Sequence, residues 1–336
     1  MRVARQILNW IPLSFVAKLA ALFRQRIILI FVYHHTADIS ELEAPQSIVI
    51  SQSHNVPPKE FGEQISALQN AGISFINLAK IFETTLKPGI SAAITFDDGY
   101  RSVRDYAAPI LKNANIPFTI FLTTNLLEGD VFWRDVIAHA VGAQQSHLFL
   151  EGIEGDVNSE SFSRLSTDLR KASKDPNIYK QKLFERLVNR YTRNHLKNGT
   201  VLRSLYLNVD DLKKLEKAGA NFGNHSCGHP IMKSLSEENA KEEFLGAHEF
   251  LIGNDLHVSG QGLFALPFGG RDLHDNPFLP AYAQSLGYRH YLYTDGQANS
   301  YRNAELTLDR IPAPTAIDQF LYSAKSAVTR AILGRN

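Results

Sequence analysis

Six short runs rich in β-branched and aromatic residues punctuate this chain: RIILIFVYHH, ISAAITFDDG, IPFTIFLTT, NFGNHS, GLFALPF and YRHYLYT. Each has the length of a strand, and most are apolar on both faces, as strands buried under two layers must be. Helical periodicity fills several of the gaps. Phe61, Ile65 and Leu68 form an apolar stripe over 59–72 that stops at a glycine, 103–113 reads as a helix, and Asn208 caps a helix through Leu212 and Leu215 that ends near Gly219. Strands alternating with helices at this spacing specify parallel βα units, so the expected fold is an α/β (β/α) barrel, distorted and with fewer than eight strands. Residues 41–57, polar and carrying Pro45, Pro57 and Pro58, read as loop. Residues 126–205 break the rhythm: Trp133, Val136 and Ile137 suggest a helix, but 143–180 is polar and aperiodic. The expected organisation is an N-terminal amphipathic helix (1–26), one domain (27–315) with a largely helical insertion at 126–205, and a C-terminal helix (316–336).

A chain of 336 residues can bury a substantial core, and 44% apolar with 21% charged residues is ordinary for a globular protein. With 35 basic and 34 acidic side chains the net charge is +1, which argues against nucleic acid as a partner. The one cysteine, Cys227, rules out an intrachain disulfide framework. No run reaches the ~20 apolar residues that span a bilayer. At the start, Ile7, Ile11, Phe15, Leu19 and Leu22 recur at helical spacing behind a basic tip, and Lys18 interrupts the apolar stretch a signal peptide would need. A helix packed on the domain and one lying on a membrane surface both fit, and a cytoplasmic or membrane-peripheral location is expected over export.

In parallel α/β folds the reactive groups lie at the C-terminal ends of strands, and three clusters fall there. Asp97-Asp98-Gly99 follows the second run; it reads as a turn, or as two carboxylates brought to one site because the strand ends and Gly99 permits a bend. Asn224-His225-Ser226-Cys227-Gly228-His229 sets two imidazoles four residues apart, where Gly228 can let the loop curl. Two histidines and a carboxylate suit zinc or a neighbouring metal and leave positions open, although a structural loop accounts for the pair equally well. Cys227 is set aside as a ligand, because a site already holding a carboxylate does not need a thiolate. In Leu266-Pro267-Phe268-Gly269-Gly270, a strand running into a turn explains the sequence without further function.

TFDDG, HSCGHP and LPFGG, in this order and at these separations, resemble the NodB-homology polysaccharide deacetylases, carbohydrate esterase family four. The first two match that family's T-F-D-D-G and H-[ST]-x-x-H motifs without substitution, and the resemblance covers roughly 27–315. It implies a metal-dependent carbohydrate N-deacetylase acting on a linear amide bond. Asp97 would be the general base, and Asp98, His225 and His229 would hold one divalent metal, zinc first, with cobalt, nickel or manganese as alternatives. A backbone N–H, that of Tyr100, would steady the oxyanion; Pro267 and Phe268 would support the site. The implied partner is an N-acetylated glycan of the bacterial surface or its precursor; peripheral membrane contact through the N-terminal helix is the expectation from the helical spacing of that segment, not from the resemblance.

Two positions depart from the family pattern. The arginine expected two residues before Pro267, which orients the base, is Ala265; Arg310 in LDRIPAP is the candidate substitute, against its reading as a surface arginine. No histidine follows His290, so the acid role passes to the first strand's end, with His34 first and His35 second. These gaps keep two alternatives open: an enzyme that has lost activity and only binds glycan, and an O-acetyl esterase. A nucleotide enzyme is unsupported, because no phosphate-binding glycine loop is present.

Overall fold

A computed structural model describes residues 10–81, 86–145, 182–256, 262–300 and 307–334 of the chain. All six runs are strands: β1 (Arg26–Tyr33), β3 (Gly89–Phe96), β4 (Phe118–Leu122), β5 (Ala220–Asn224), β6 (Gly262–Ala265) and β7 (Tyr288–Tyr293). Four shorter ones join them: β2 (Ser74–Phe75), β8 (Asn299–Ser300), β9 (Thr307–Asp309) and β10 (Ile311–Pro312). The order is β10-β1-β3-β4-β5-β6-β7-β9, parallel throughout, with β2 beside β3 and β8 antiparallel to β1. β9 pairs with β7 and β10 with β1, so the single segment 307–312 links the two ends of the sheet. The result is a nearly closed barrel of six full strands and one bent one.

The period-2 geometry of each strand divides its residues between two clusters. Ile27, Leu29, Phe31 and Tyr33 of β1 and Ile90, Ala92, Ile94 and Phe96 of β3 face outward under the helices. Ile28, Ile30, Ala93, Phe121, Leu263 and Leu292 fill the barrel interior. Burial on both faces is what the unbroken apolar runs had required. Gly223 serves this interior: a Cβ there would lie 2.5 Å from the Phe121 ring and 3.0 Å from the Leu263 carbonyl oxygen. Gly223→Ala is therefore expected to destabilise by about 2 kcal/mol through overpacking. A melting midpoint equal to the parent's would show that Phe121 has room to move.

The loop expected over 41–57 is in part wrong. Gln46–Gln52 is a helix, with Val49 and Ile50 buried against the helix Trp133–Gly142. Pro45, read as a breaker, occupies the N-cap, and a seven-residue helix of this kind depends on tertiary packing rather than propensity. Of the expected insertion, Trp133–Gly142 and Lys182–His195 are helical, and 146–181 lie outside the described residues. At the termini, the helix Leu13–Leu22 buries Leu13, Val16 and Ala20 and packs on the C-terminal helix Ile317–Ile332. Lys325 Nζ donates to the Ile11 carbonyl at 3.2 Å across this junction. Residues 1–9 of the expected N-terminal helix lie outside the described residues.

Candidate active site

Strand periodicity aims the first site residues. Ile28 and Ile30 point inward, so His34 does too, two steps beyond Val32; Ala93 leads likewise to Thr95 and Asp97. After Asp97 the chain turns sharply: Asp98 at φ 71° and Gly99 at φ 84° are successive left-handed residues. That turn returns Asp98 to the same side as Asp97. On β5, Gly223 faces inward and so does His225 beyond it. The curl that brings His229 alongside comes from Ser226 at φ 67° and His229 at φ 55°; Gly228, expected to supply it, has no positive φ. Side-chain bonds hold these strained residues, with Ser226 N donating to Asn224 Oδ1 at 2.8 Å and His229 N to Ser226 Oγ at 3.0 Å. Cys227 Sγ points toward Gly246 and away from the site, as its exclusion from the ligand set requires.

The three donors converge. His229 Nε2 lies 3.4 Å and His225 Nε2 3.6 Å from Asp98 Oδ1, and one donor atom from each residue falls within 4.8 Å of the others. All three residues are buried. His225 Nδ1 lies 2.7 Å from the Ala265 carbonyl, which places the proton on Nδ1 and turns the Nε2 lone pair into the site. Asp98 Oδ1 has no protein hydrogen-bond partner, and burial, then the neighbouring Asp97, pushes its carboxyl well above the ordinary range. Burial also lowers both imidazoles, that of His229 further because of His225, so they stand neutral. A buried, unpartnered carboxylate oxygen facing two neutral imidazole nitrogens fits a divalent cation: the cation would supply the missing charge.

Asp97 is different. Arg310 is 1% exposed, and its Nη1 donates to Asp97 Oδ1 at 2.6 Å. Burial pushes the Asp97 carboxyl up, but Arg310, His225 and His34 together hold it below the usual carboxylate range. The surface reading of Arg310 is thus excluded, and the guanidinium stands beside the Asp97 carboxylate. His34 lines the cavity by Asp97, with a buried Nδ1 lacking a protein partner; burial lowers it to about 4. The His35 ring stacks on Tyr100 at 3.8 Å with Nδ1 3.4 Å from Ser102 Oγ, and burial lowers it to about 3. Of the ten residues singled out in the sequence, only Pro267 does not line the cavity, which encloses about 640 Å³.

Sequence reasoning missed one wall, the start of the helix Trp133–Gly142. Phe132 and Phe268 flank His229 with ring centroids at 4.9 and 4.5 Å, and the Arg134 guanidinium lies 5.7 Å from the Phe268 ring. Asp135, 2% exposed, accepts from Tyr206 Oη at 2.7 Å and from Tyr100 Oη at 3.1 Å. Burial raises it to about 6. This cluster braces Tyr100, next to the Asp98-Gly99 turn. The available signal was an Arg-Asp pair opening an otherwise apolar helix.

A family profile described as "Polysaccharide deacetylase" matches residues 86–167 and 179–291. A curated relative, the poly-beta-1,6-N-acetyl-D-glucosamine N-deacetylase of Staphylococcus epidermidis, is 27% identical over 195 residues. That alignment covers 51% of this chain and 61% of the relative, so the chain matches less than two thirds of that protein's length. Among solved structures, a deacetylase of Streptococcus pyogenes in complex with acetate superposes with a TM-score of 0.56 at 16% identity, covering 90% of this chain and 99% of that one. IcaB from Ammonifex degensii gives 0.53 at 15% identity, with 90% and 97% covered. At such identities these two likenesses bear on the fold.

Proposed function

The chain belongs to the polysaccharide deacetylase family, and from that premise we propose that it removes N-acetyl groups from a β-linked N-acetylglucosamine glycan of the bacterial surface, or from its precursor, in a metal-dependent hydrolysis. The observation that carries this reading is the convergence of Asp98, His225 and His229 within 4.8 Å beside an Asp97 clamped by Arg310. The activity for which the Staphylococcus epidermidis relative is named supports the choice of glycan.

A divalent ion held by Asp98, His225 and His229, zinc first among candidates, would polarise the acetyl carbonyl and lower the pKa of water from 15.7 toward ~7. Asp97, kept ionised by Arg310, takes a proton from the attacking water as its oxygen bonds to the amide carbon. The Tyr100 backbone N–H is the donor assigned to the developing oxyanion, and the Asp135–Tyr206 contacts fix the residue that carries it. His34, neutral at rest, hands on to the departing nitrogen the proton that the attacking water gave up to Asp97, as the C–N bond breaks, freeing acetate and the amine. Phe132 and Phe268 screen His229 from solvent. The contact of Arg310 with Asp97, where Ala265 offers no charge, supports the catalytic reading over a binding-only protein.

The test is acetate release from β-1,6- and β-1,4-linked N-acetylglucosamine oligomers, comparing metal-stripped with zinc- or cobalt-restored protein. Release that requires metal is expected; none from either series at full metal occupancy would overturn the proposal. His34→Ala should lower kcat by roughly 10²–10³-fold with metal still bound, the range of a lost general acid. Undiminished turnover in that variant would take the acid role from His34.

A further inference from the structure

Eight large hydrophobic side chains are exposed among the described residues, and five of them sit in one place. Phe15 and Leu22, 51% and 73% exposed, lie on the helix Leu13–Leu22; Trp10 and Phe23 flank it; Leu333 ends the helix that packs against it. Isolated exposed hydrophobics need no explanation, but a group of this kind does. The spacing explains the grouping. Leu13, Val16 and Ala20 are turned into the protein, so Phe15 and Leu22, at i and i+7, face out on the opposite side, with the half-buried Leu19 between them at i+4. An ordinary surface helix is polar there. This one is apolar on both sides.

The charge carried by the N-terminal segment itself is of one sign. Lys18 lies on the stripe, Arg24 and Arg26 follow it, and the first acidic residue of the whole sequence is Asp38. The adjoining helix adds Arg330, whose guanidinium donates to the Gly296 carbonyl, and one acidic residue, Asp318. Paired copies of the Leu13–Leu22 face would set Lys18 and Arg24 of one against those of the other, and Asp318 of the adjoining helix is already beside Lys325, which disfavours self-association. An apolar stripe with tryptophan at one end and basic residues at the other matches the interfacial region of an anionic bilayer, where lysine can extend to the headgroups and the rings reach the acyl boundary. No helix among the described residues is long and apolar enough to cross a membrane.

We infer that the outward face of Leu13–Leu22 docks this protein on an anionic lipid surface. The inference is independent of the catalytic proposal, because no residue of the cavity takes part. Flotation of the full chain with vesicles of equal parts phosphatidylglycerol and phosphatidylcholine tests it against vesicles of phosphatidylcholine alone. The parent should float with the anionic vesicles. The pair Leu22→Ser and Phe23→Ser should cut the bound fraction by roughly ten-fold, from lost apolar insertion. The pair Lys18→Gln and Arg24→Gln should do the same through lost headgroup attraction, and the parent's binding should weaken with salt. Acetate release from soluble oligomers and the melting midpoint should be unchanged in both pairs. The charge pair keeps the test decisive if the serine pair misfolds. The inference is overturned if the parent does not float, or if both pairs float as the parent does. It is also overturned if the parent sediments as a dimer that the serine pair dissolves, which would assign the face to a second copy.

Discussion

Protein carrying Asp98→Ala is expected to leave metal-free buffer and zinc titration with no bound ion, and to release no acetate. Asp98 Oδ1 is the one anionic donor of the three, and the imidazoles of His225 and His229 converge on it at 3.6 and 3.4 Å. Losing it should weaken metal binding by more than the ~100-fold that a neighbouring support residue can cost. His225→Ala should behave alike, and calorimetric titration with zinc measures both. The stability of the metal-free proteins separates a ligand from a structural role. Without metal, parental Asp98 is a buried carboxyl driven upward by burial and by Asp97, with Oδ1 unpartnered. Removing such a group relieves a cost. Metal-free Asp98→Ala should therefore melt no lower than metal-free parent, while only the parent gains from added zinc. Zinc bound to the variant at parental affinity would sink the ligand assignment.

Arg310→Met should have the opposite signature, keeping metal and losing both stability and rate. The side chain is buried; its Nη1 reaches Asp97 at 2.6 Å, its Nε faces the Tyr293 carbonyl at 3.4 Å, and its guanidinium lies 5.3 Å from the Phe121 ring. Breaking a buried ion pair by removing one member costs about 3–5 kcal/mol, because the other charge is left uncompensated. Asp97 would then be pushed up by burial with less to oppose it, and kcat should fall by roughly 10²–10³-fold for want of an ionised base. Adding Asp97→Asn should restore much of the stability and none of the activity, since the double variant has no buried charge to strand. Arg310→Lys should not rescue fully, because one ammonium cannot span Asp97 and the Tyr293 carbonyl as the guanidinium does. Melting midpoints with acetate kinetics, each with metal content measured, decide the matter. A double variant as unstable as the single would place the cost in packing.

The strands and the convergence of Asp98, His225 and His229 were legible for one reason. Short apolar runs whose polar residues gather at the C-terminal end leave few arrangements open, and period-2 geometry then aims Asp97 and His225 inward. What remained hidden was nonlocal or unconventional. Arg310 meets Asp97 across 213 positions, and nothing in LDRIPAP distinguishes a buried guanidinium from a surface one. Asp135 finds its tyrosines 35 and 71 positions away. The helix at Gln46–Gln52 forms because Val49 and Ile50 find a partner helix, a fact its polar neighbourhood conceals. The loop from Asn224 to His229 looked as though it turned on glycine, yet it turns on a serine and a histidine whose strain is met by hydrogen bonds.

Arg310 stands at the joint of the bent segment, between β9, which pairs with β7, and β10, which pairs with β1. The residue that holds the Asp97 carboxylate is also the residue at which the ring of strands meets itself. An opening confined to 307–312 would part Arg310 from Asp97 while leaving the six long strands paired, so closure of the ring and the charge environment of Asp97 are one structural event.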